Sequence, residues 1–466
     1  MKLRYLIHIA CALSLAALQS CSEKIVPEGH KGVAGPFSIE IPLLTDNGQY
    51  RTRAYDFNDS ALSLSDISEI WVGLFDAVDH RLIGFGTTNS IATPTKITIE
   101  NLFFDDGHPE AYAAAVANYS GVTGRLGDGP AVDLIQLLKH DIASWEDFCN
   151  IAVDVASAEA AIGNNAHVLM SGIYQRSTIT RDIYVIPDDD GLLEPSDDIA
   201  FTIFTYLEFD KAFEKFIDFS SNLGIQNNTT YAIRLRPLFS HVSVNVTLNA
   251  AALNRNGGIS WRLCNVPKYV YLIEHHNIVD CSPYDAASWL GVTPAAGDLY
   301  GEDGYFTMEN FRSAADGVAT PEGAPYDVLA GDAVSGSAGS YSFGFWHYEN
   351  KHWGLPGVNS YAARERVLAG TTDVFAALCP SATSAFNNSA SYFELRVKGT
   401  DGKDYDYRVH EGLSANIYNT ASAVEYRDFS TFRNTNYTYD ITISGLSSAL
   451  TRGDAESAIS VSVSAR

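Results

Sequence analysis

Short runs in which apolar and polar residues alternate recur through the chain, and they confine it to a β-rich fold. Phe37, Ile39, Ile41 and Leu43 alternate with Ser38, Glu40 and Pro42 near one end. At the other end Ile459, Val461, Val463 and Ala465 alternate with Ser460, Ser462 and Ser464. A period of two places every second side chain on one face, so each run needs a sheet to bury that face. Pro42 cannot donate to a ladder, which predicts an edge position for the first run. Between the two ends, 70–75 and 81–85 flank turn residues 76–79 as a predicted hairpin. Further strands are predicted at 96–100, 182–187, 199–204, 231–236, 241–248, 269–273, 392–397, 405–409 and 437–443.

Three stretches depart from this pattern. Val132, Ile135, Leu138, Ile142, Trp145 and Phe148 recur at helical spacing, predicting two short helices over 130–162 that cover one sheet. A further helix is predicted over 208–220. Residues 283–342 are rich in Gly, Ala, Ser, Pro and Asp and read as a long surface excursion. Spaced strands with few helices predict a mainly β chain of two β-sandwich domains with short helical insertions. The first would span 36–236 with the helical insertion, and the second 237–466 with the excursion and the final strand.

The extreme N-terminus has a different character. Lys2 and Arg4 precede an apolar run over 5–18, and Leu18-Gln19-Ser20-Cys21 follows. A basic start, a short apolar run and a small residue before a cysteine predict a lipoprotein signal peptide over 1–20. The run is too short to span a bilayer as a mature helix. Cleavage before Cys21 and acylation of that cysteine would tie the chain to a membrane, through the polar tether 21–35. The alternative is a plain cleaved signal with an incidental cysteine.

A formal net charge of −25 repels nucleic acid, so no nucleic-acid partner is expected. Cys149, Cys264, Cys281 and Cys379 remain beyond Cys21, with no C-x-x-C pair among them. Export permits disulfides. Cys264 and Cys281 are the closest pair, and both a bridge and two buried free thiols stay open. There is no H-E-x-x-H, G-x-S-x-G or P-loop, so neither enzyme activity nor a cofactor is expected. His275, His276, His347 and His352 fall short of a four-ligand metal set in sequence, and no metal site is expected. Asp401, Asp404 and Asp406 read as a solvated hairpin tip. Trp346, His347 and Tyr348 read as packing, with sugar stacking as the alternative.

Several segments together resemble the Bacteroidetes-type fimbrillin family, the lipoprotein subunits of type V pili. Met170-Ser171-Gly172, Asn265-Val266-Pro267 and Tyr348-Glu349-Asn350 are similar to family segments in that order, as is Arg433-Asn434-Thr435-Asn436-Tyr437-Thr438-Tyr439. The resemblance implies transthyretin-like sandwich domains and residence in a cell-surface fimbria. It also implies processing by an Arg-specific protease, here after Arg53 or Arg51, both in the polar loop behind the first strand. Cleavage would release the strand carrying Phe37, Ile39, Ile41 and Leu43. Ile459, Val461 and Val463 of another fimbrial subunit would then fill the groove. A second reading is a binding module that holds a host glycan or protein through 283–353.

Overall fold

The computed structural model describes residues 67–91, 110–165, 168–176, 231–273, 296–313, 334–350, 390–412, 429, 431–433, 436–446 and 459–465, and short strands at 37–41, 43–44, 56–57, 60–61, 95–99 and 217–218. The predicted signal peptide and tether, the strands expected at 182–187 and 199–204, and most of the helix expected at 208–220 lie outside these residues. At its far end that helix is replaced by a strand, Ile217–Asp218, paired with Glu110–Ala117.

The largest sheet has eight strands. Its main path runs Leu43–Leu44, Tyr231–Arg234, Met170–Arg176, Glu110–Ala117, Ile70–Asp76, Leu82–Thr88. Ile70–Asp76 sits between two neighbours and all seven of its residues are buried, which only a strand covered on both faces achieves. Its odd-numbered face meets a helix, Trp145–Cys149: Phe148 lies 5.6 Å from the Trp71 ring and 5.4 Å from Phe75. Trp71 lies flat along its own strand over Gly73, where a Cβ would sit 2.2 Å from the indole. Ser144 caps the helix reciprocally with Asp147: its hydroxyl accepts from the Asp147 amide, and its own amide donates back to the Asp147 carboxylate, both at 3.1 Å.

The helical reading of 130–162 is corrected in two respects: Val132 lies in a strand, Val132–Asp133, and a second strand divides the helical turns. Helical turns occupy Leu134–Gln136, Leu137–Asp141, Trp145–Cys149 and Val155–Asn165, but a strand, Ile151–Asp154, interrupts them. Ile151 and Val153 face the same core as the helices, so their burial mimics helical spacing over so short a run. That strand belongs to a four-stranded sheet ordered Val132–Asp133, Thr123–Leu126, Ile151–Asp154, Tyr269–Tyr271.

Farther along the chain, two sheets pack face to face. One has five strands: Ser335–Ser337, Ser340–Tyr348, Phe239–Leu248, Asn436–Ile443 and Ile459–Ala465. The other has four: Arg312–Ser313, Ile259–Cys264, Tyr392–Lys398 and Asp404–His410. Trp261 of the second stacks at 4.8 Å on Phe343 and at 5.4 Å on Phe345 of the first. Phe393 completes the contact against Phe345 and Tyr439, at 5.7 and 5.6 Å. Offset and edge-on aromatic pairs of this kind add to what burial alone contributes. Phe239–Leu248 and Asn436–Ile443 pair in parallel at the sheet's centre.

The excursion expected over 283–342 is in part built into the fold. It carries a 3-10 segment, Ala296–Gly304, and the strands Tyr305–Phe306, Arg312–Ser313 and Ser335–Ser337. These pieces are too short to register as a period in sequence.

Candidate functional site

The motif segments that lie far apart in sequence meet at one buried place. Met170–Arg176 brings Ser171 from the eight-stranded sheet. Tyr271 and Leu272 arrive from the end of the four-stranded sheet, while Glu349 and Asn350 follow Ser340–Tyr348. Arg433 precedes Asn436–Ile443. Arg433 is 4% exposed and Glu349 7%. The guanidinium grips the carboxylate through two bonds, Nε to Oε2 and Nη2 to Oε1, both 3.0 Å. Its remaining donors reach the carbonyls of Tyr271 at 2.6 Å and Leu272 at 2.9 Å, and the Ser171 hydroxyl at 3.4 Å. The Ser171 hydroxyl in turn donates to the Leu272 carbonyl. A planar fork with donors in fixed directions suits this junction, where a lysine would supply one point of charge.

A second polar layer lies beside it. Asn350 and Thr431 exchange backbone bonds at 2.9 Å each. The Asn350 amide donates to Ser391 at 2.6 Å, and the Ser391 hydroxyl donates to the Asn265 carbonyl at 2.7 Å. Thr431 donates to Glu411 at 2.7 Å. His347 Nδ1 lies 3.6 Å from the same Glu411 oxygen, with both side chains buried. That distance is too long for a hydrogen bond. Burial therefore holds the imidazole below its ordinary pKa, and the nearby carboxylate only partly offsets this.

The two terminal strands occupy sheet margins. Phe37–Ile41 pairs antiparallel with Thr95–Ile99 alone, setting Phe37 opposite Ile99 and Ile39 opposite Ile97. Beyond Pro42 the chain switches partner: Leu43–Leu44 runs parallel to Tyr231–Arg234 at the outer edge of the eight-stranded sheet. The single eight-residue strand expected there is thus two short ones, because Pro42 has no amide to continue the ladder. At the other end Ile459–Ala465 pairs antiparallel with Asn436–Ile443 over seven positions as the outermost strand of its sheet. Ile459 and Val463 are buried, Val461 is partly buried and packs on the core, and Ser460 and Ser462 are exposed. The alternation expected from the sequence is therefore present, with the strand seated on its own sheet.

Cys21, Arg51, Arg53 and Cys281 lie outside the described residues. Cys264 is a buried thiol, and the Cys264–Cys281 bridge left open by the sequence involves a residue outside the described ones. Burial, with Glu394 nearby, pushes the Cys264 thiol up to about 12, which makes it an unreactive core residue. Among the described residues no three His, Cys, Asp or Glu side chains gather as metal ligands. The hairpin acids are spoken for: Asp404 pairs with Lys398 at 3.5 Å and Asp406 with Arg396 at 2.7 Å. Trp346 packs edge-on against Phe239 at 5.2 Å, as expected of a packing residue.

The sequence named each motif at this junction but not their meeting. Arg433 and Glu349 stand 84 positions apart, and Ser171 stands 262 from Arg433, with no periodicity linking them. No family model matches the chain, and no curated protein does. Among solved structures, the tip fimbrial protein Mfa3 of Porphyromonas gingivalis with C-terminal truncation is 14% identical, covering 89% of this chain and 96% of its own, with a TM-score of 0.36. A fimbrilin of Porphyromonas gingivalis is 11% identical over 92% of this chain and 96% of its own, with a TM-score of 0.43. The fimbrial anchor protein Mfa2 of the same organism is 8% identical over 92% and 95%, with a TM-score of 0.34. Over most of its length, and at low identity, the chain is similar to fimbrial proteins.

Proposed function

We propose that the chain is a structural subunit of a cell-surface fimbria, joined to its neighbours by exchange of a terminal strand. The observation that carries this reading is the equivalence of the two chain ends. Phe37–Ile41 and Ile459–Ala465 are alternating strands at a sheet margin, each antiparallel to one partner, and Leu43–Leu44 beyond Pro42 adds a parallel pairing with a second. Each sets apolar residues opposite apolar residues: Phe37 opposite Ile99 in one, and Val461 opposite Ile441 in the other. The last strand contains no charged residue and no proline, the usual guards of an exposed edge.

On this reading the chain is exported as a lipoprotein acylated at Cys21 and held at the outer membrane. An Arg-specific protease cuts after Arg53 or Arg51. Residues 37–44 leave, and Thr95–Ile99 and Tyr231–Arg234 lose a neighbour. Ile459, Val461 and Val463 of another subunit take the vacated place. Ladder bonds hold the backbone, and the alternating side chains fix the register. Burying three branched side chains contributes about 5–9 kcal/mol before ordering costs. The donor must first leave Asn436–Ile443, so one antiparallel ladder is exchanged for another.

Treatment with an Arg-specific protease followed by electrophoresis tests the reading. A ladder of oligomers is expected from the intact chain, and only full-length monomer from the Arg51→Ala/Arg53→Ala double variant. One shortened band with no oligomers would leave each terminal strand as part of its own sheet, and the exchange reading would fail.

A further inference from the structure

We propose that the last strand, Ile459–Ala465, pairs edge to edge with the same strand of a second copy of this chain while still seated on its own sheet. The pairing needs neither cleavage nor strand exchange. Among the described residues this strand has a neighbour on one side only, Asn436–Ile443. Its other side presents a row of unpaired amides and carbonyls, a template for a further strand. The other margins of the two packed sheets are guarded. Asp404–His410 carries Asp404, Asp406 and Arg408 at alternate positions. Ser335–Ser337 has three residues and Arg312–Ser313 two, too short to hold a register. Ile459–Ala465 has seven, with neither charge nor proline.

The strand's own sequence selects the partner. Ile-Ser-Val-Ser-Val-Ser-Ala is close to a palindrome about Ser462. Turned antiparallel about a two-fold axis at Ser462, the strand meets its copy in register. Val461 stands opposite Val463, Ser460 opposite Ser464, Ile459 opposite Ala465, and Ser462 opposite itself. Apolar positions fall opposite apolar ones and serines opposite serines, the pairing that stabilises a ladder. Val461 is only partly buried in its own chain, and Val463 of the second copy would cover it further. Each copy offers the same patch, so the contact closes after two chains and makes a pair, not a fibre.

Charge permits the meeting. At a formal net charge of −25, two copies approach most readily where little charge lies. The neighbouring strand Asn436–Ile443 has one charged residue, Asp440, which stands opposite Ser462 and accepts a hydrogen bond from Asn245 at 2.9 Å. Across the axis the two Asp440 residues lie three strand spacings apart, about 14 Å. That exceeds the screening length of about 8 Å at physiological salt. A single strand edge falls short of the roughly 1,000 Å² of a stable interface, so the pair is weak and reversible. Its effect is protective, since it closes two open margins against unrelated strands.

The test uses the full chain carrying Arg51→Ala/Arg53→Ala, without protease, which keeps strand exchange silent. Ser462→Cys sets the two new thiols opposite each other across the axis, within disulfide reach. Ser460→Cys sets them four positions apart, about 13 Å, and out of reach. Under mild oxidation, Ser462→Cys should give at least about fivefold more covalent pair than Ser460→Cys on a non-reducing denaturing gel. An unlinked pair comes apart in that gel, so the parent chain runs as monomer. Both positions are exposed, and melting curves establish that each variant is folded. Sedimentation supplies a second measurement. Ser462→Glu brings two carboxylates together at the axis and should weaken self-association of the parent chain at least about tenfold. Equal linking at both positions, or no linking through Ser462→Cys, would reject the pairing. So would a parent chain that stays monomeric up to about 1 mM, or a Ser462→Glu variant that associates like the parent.

Discussion

Two regions of the molecule use hydrogen bonds in opposite ways. At the Arg433 junction, bonds from one guanidinium join segments from three sheets, buried and without a second solution. At the Ile459–Ala465 margin, repeated backbone bonds hold one strand to one neighbour, and any strand with the same alternation could make the same bonds. Removing one partner of the junction strands a buried charge. Removing the margin strand leaves an edge that water can serve on its open side. The first arrangement fixes the molecule as one body, and the second leaves part of it exchangeable.

The largest expected effect comes from breaking the junction. Arg433→Ala should cost about 3–5 kcal/mol, because Glu349 is left buried without its cation. Arg433→Lys should recover only part of this, since a single ammonium cannot serve the carboxylate and two carbonyls together. Denaturant unfolding measures both, and wild-type stability in the alanine variant would erase the contrast between the two regions. Gly73→Ala asks how rigid the core under the Trp145–Cys149 helix is. The added methyl must displace the Trp71 ring, at a cost of about 1–3 kcal/mol. A neutral result would mean that the Trp71–Phe148 stack adjusts freely.

The neighbouring His347–Glu411 layer offers a pH test. Burial lowers the folded-state pKa of His347 below that of the unfolded chain, about 6.5. The stability it contributes is therefore complete above about pH 6.5 and is lost as pH falls toward the folded value, at up to about 1.4 kcal/mol per pH unit. His347→Gln should flatten the melting-temperature profile between neutral and mildly acid pH, and an unchanged slope would assign the effect to other groups. The smallest change in stability is expected at the margin. Val461→Asp touches a partly buried position and should lower monomer stability by about 1 kcal/mol. It should nonetheless abolish oligomers after protease treatment, because an unpaired carboxylate is costly in an apolar groove. Normal oligomers from this variant would show that another segment joins the subunits.

Much of the fold could be read in advance where one physical signal dominates. The strand at 241–248 and the final strand alternate cleanly, the apolar runs 70–75 and 81–85 flank a clear turn, and all appear as strands. The strand Ile151–Asp154 was hidden because four apolar-rich residues between two helices have no period of their own. The strands inside 283–342 were hidden because two or three residues cannot display one. Candidate-site residues were legible as types and not as a constellation. Glu349 and Arg433 stand in recognisable segments, but their pairing depends on how Ser340–Tyr348 and Asn436–Ile443 flank the same central strand.

The parallel pairing of Phe239–Leu248 with Asn436–Ile443 also governs when the molecule can fold. Asn245 and Asp440, hydrogen-bonded across that pair, are separated by 195 residues. A growing chain exposes its 239–248 strand long before the partner for one of its sides exists. Contacts of such sequence separation form slowly, and the waiting edge is open to wrong partners. Completion of the central ladder thus waits until residues 436–443 have emerged, nearly two hundred residues after the strand they pair with.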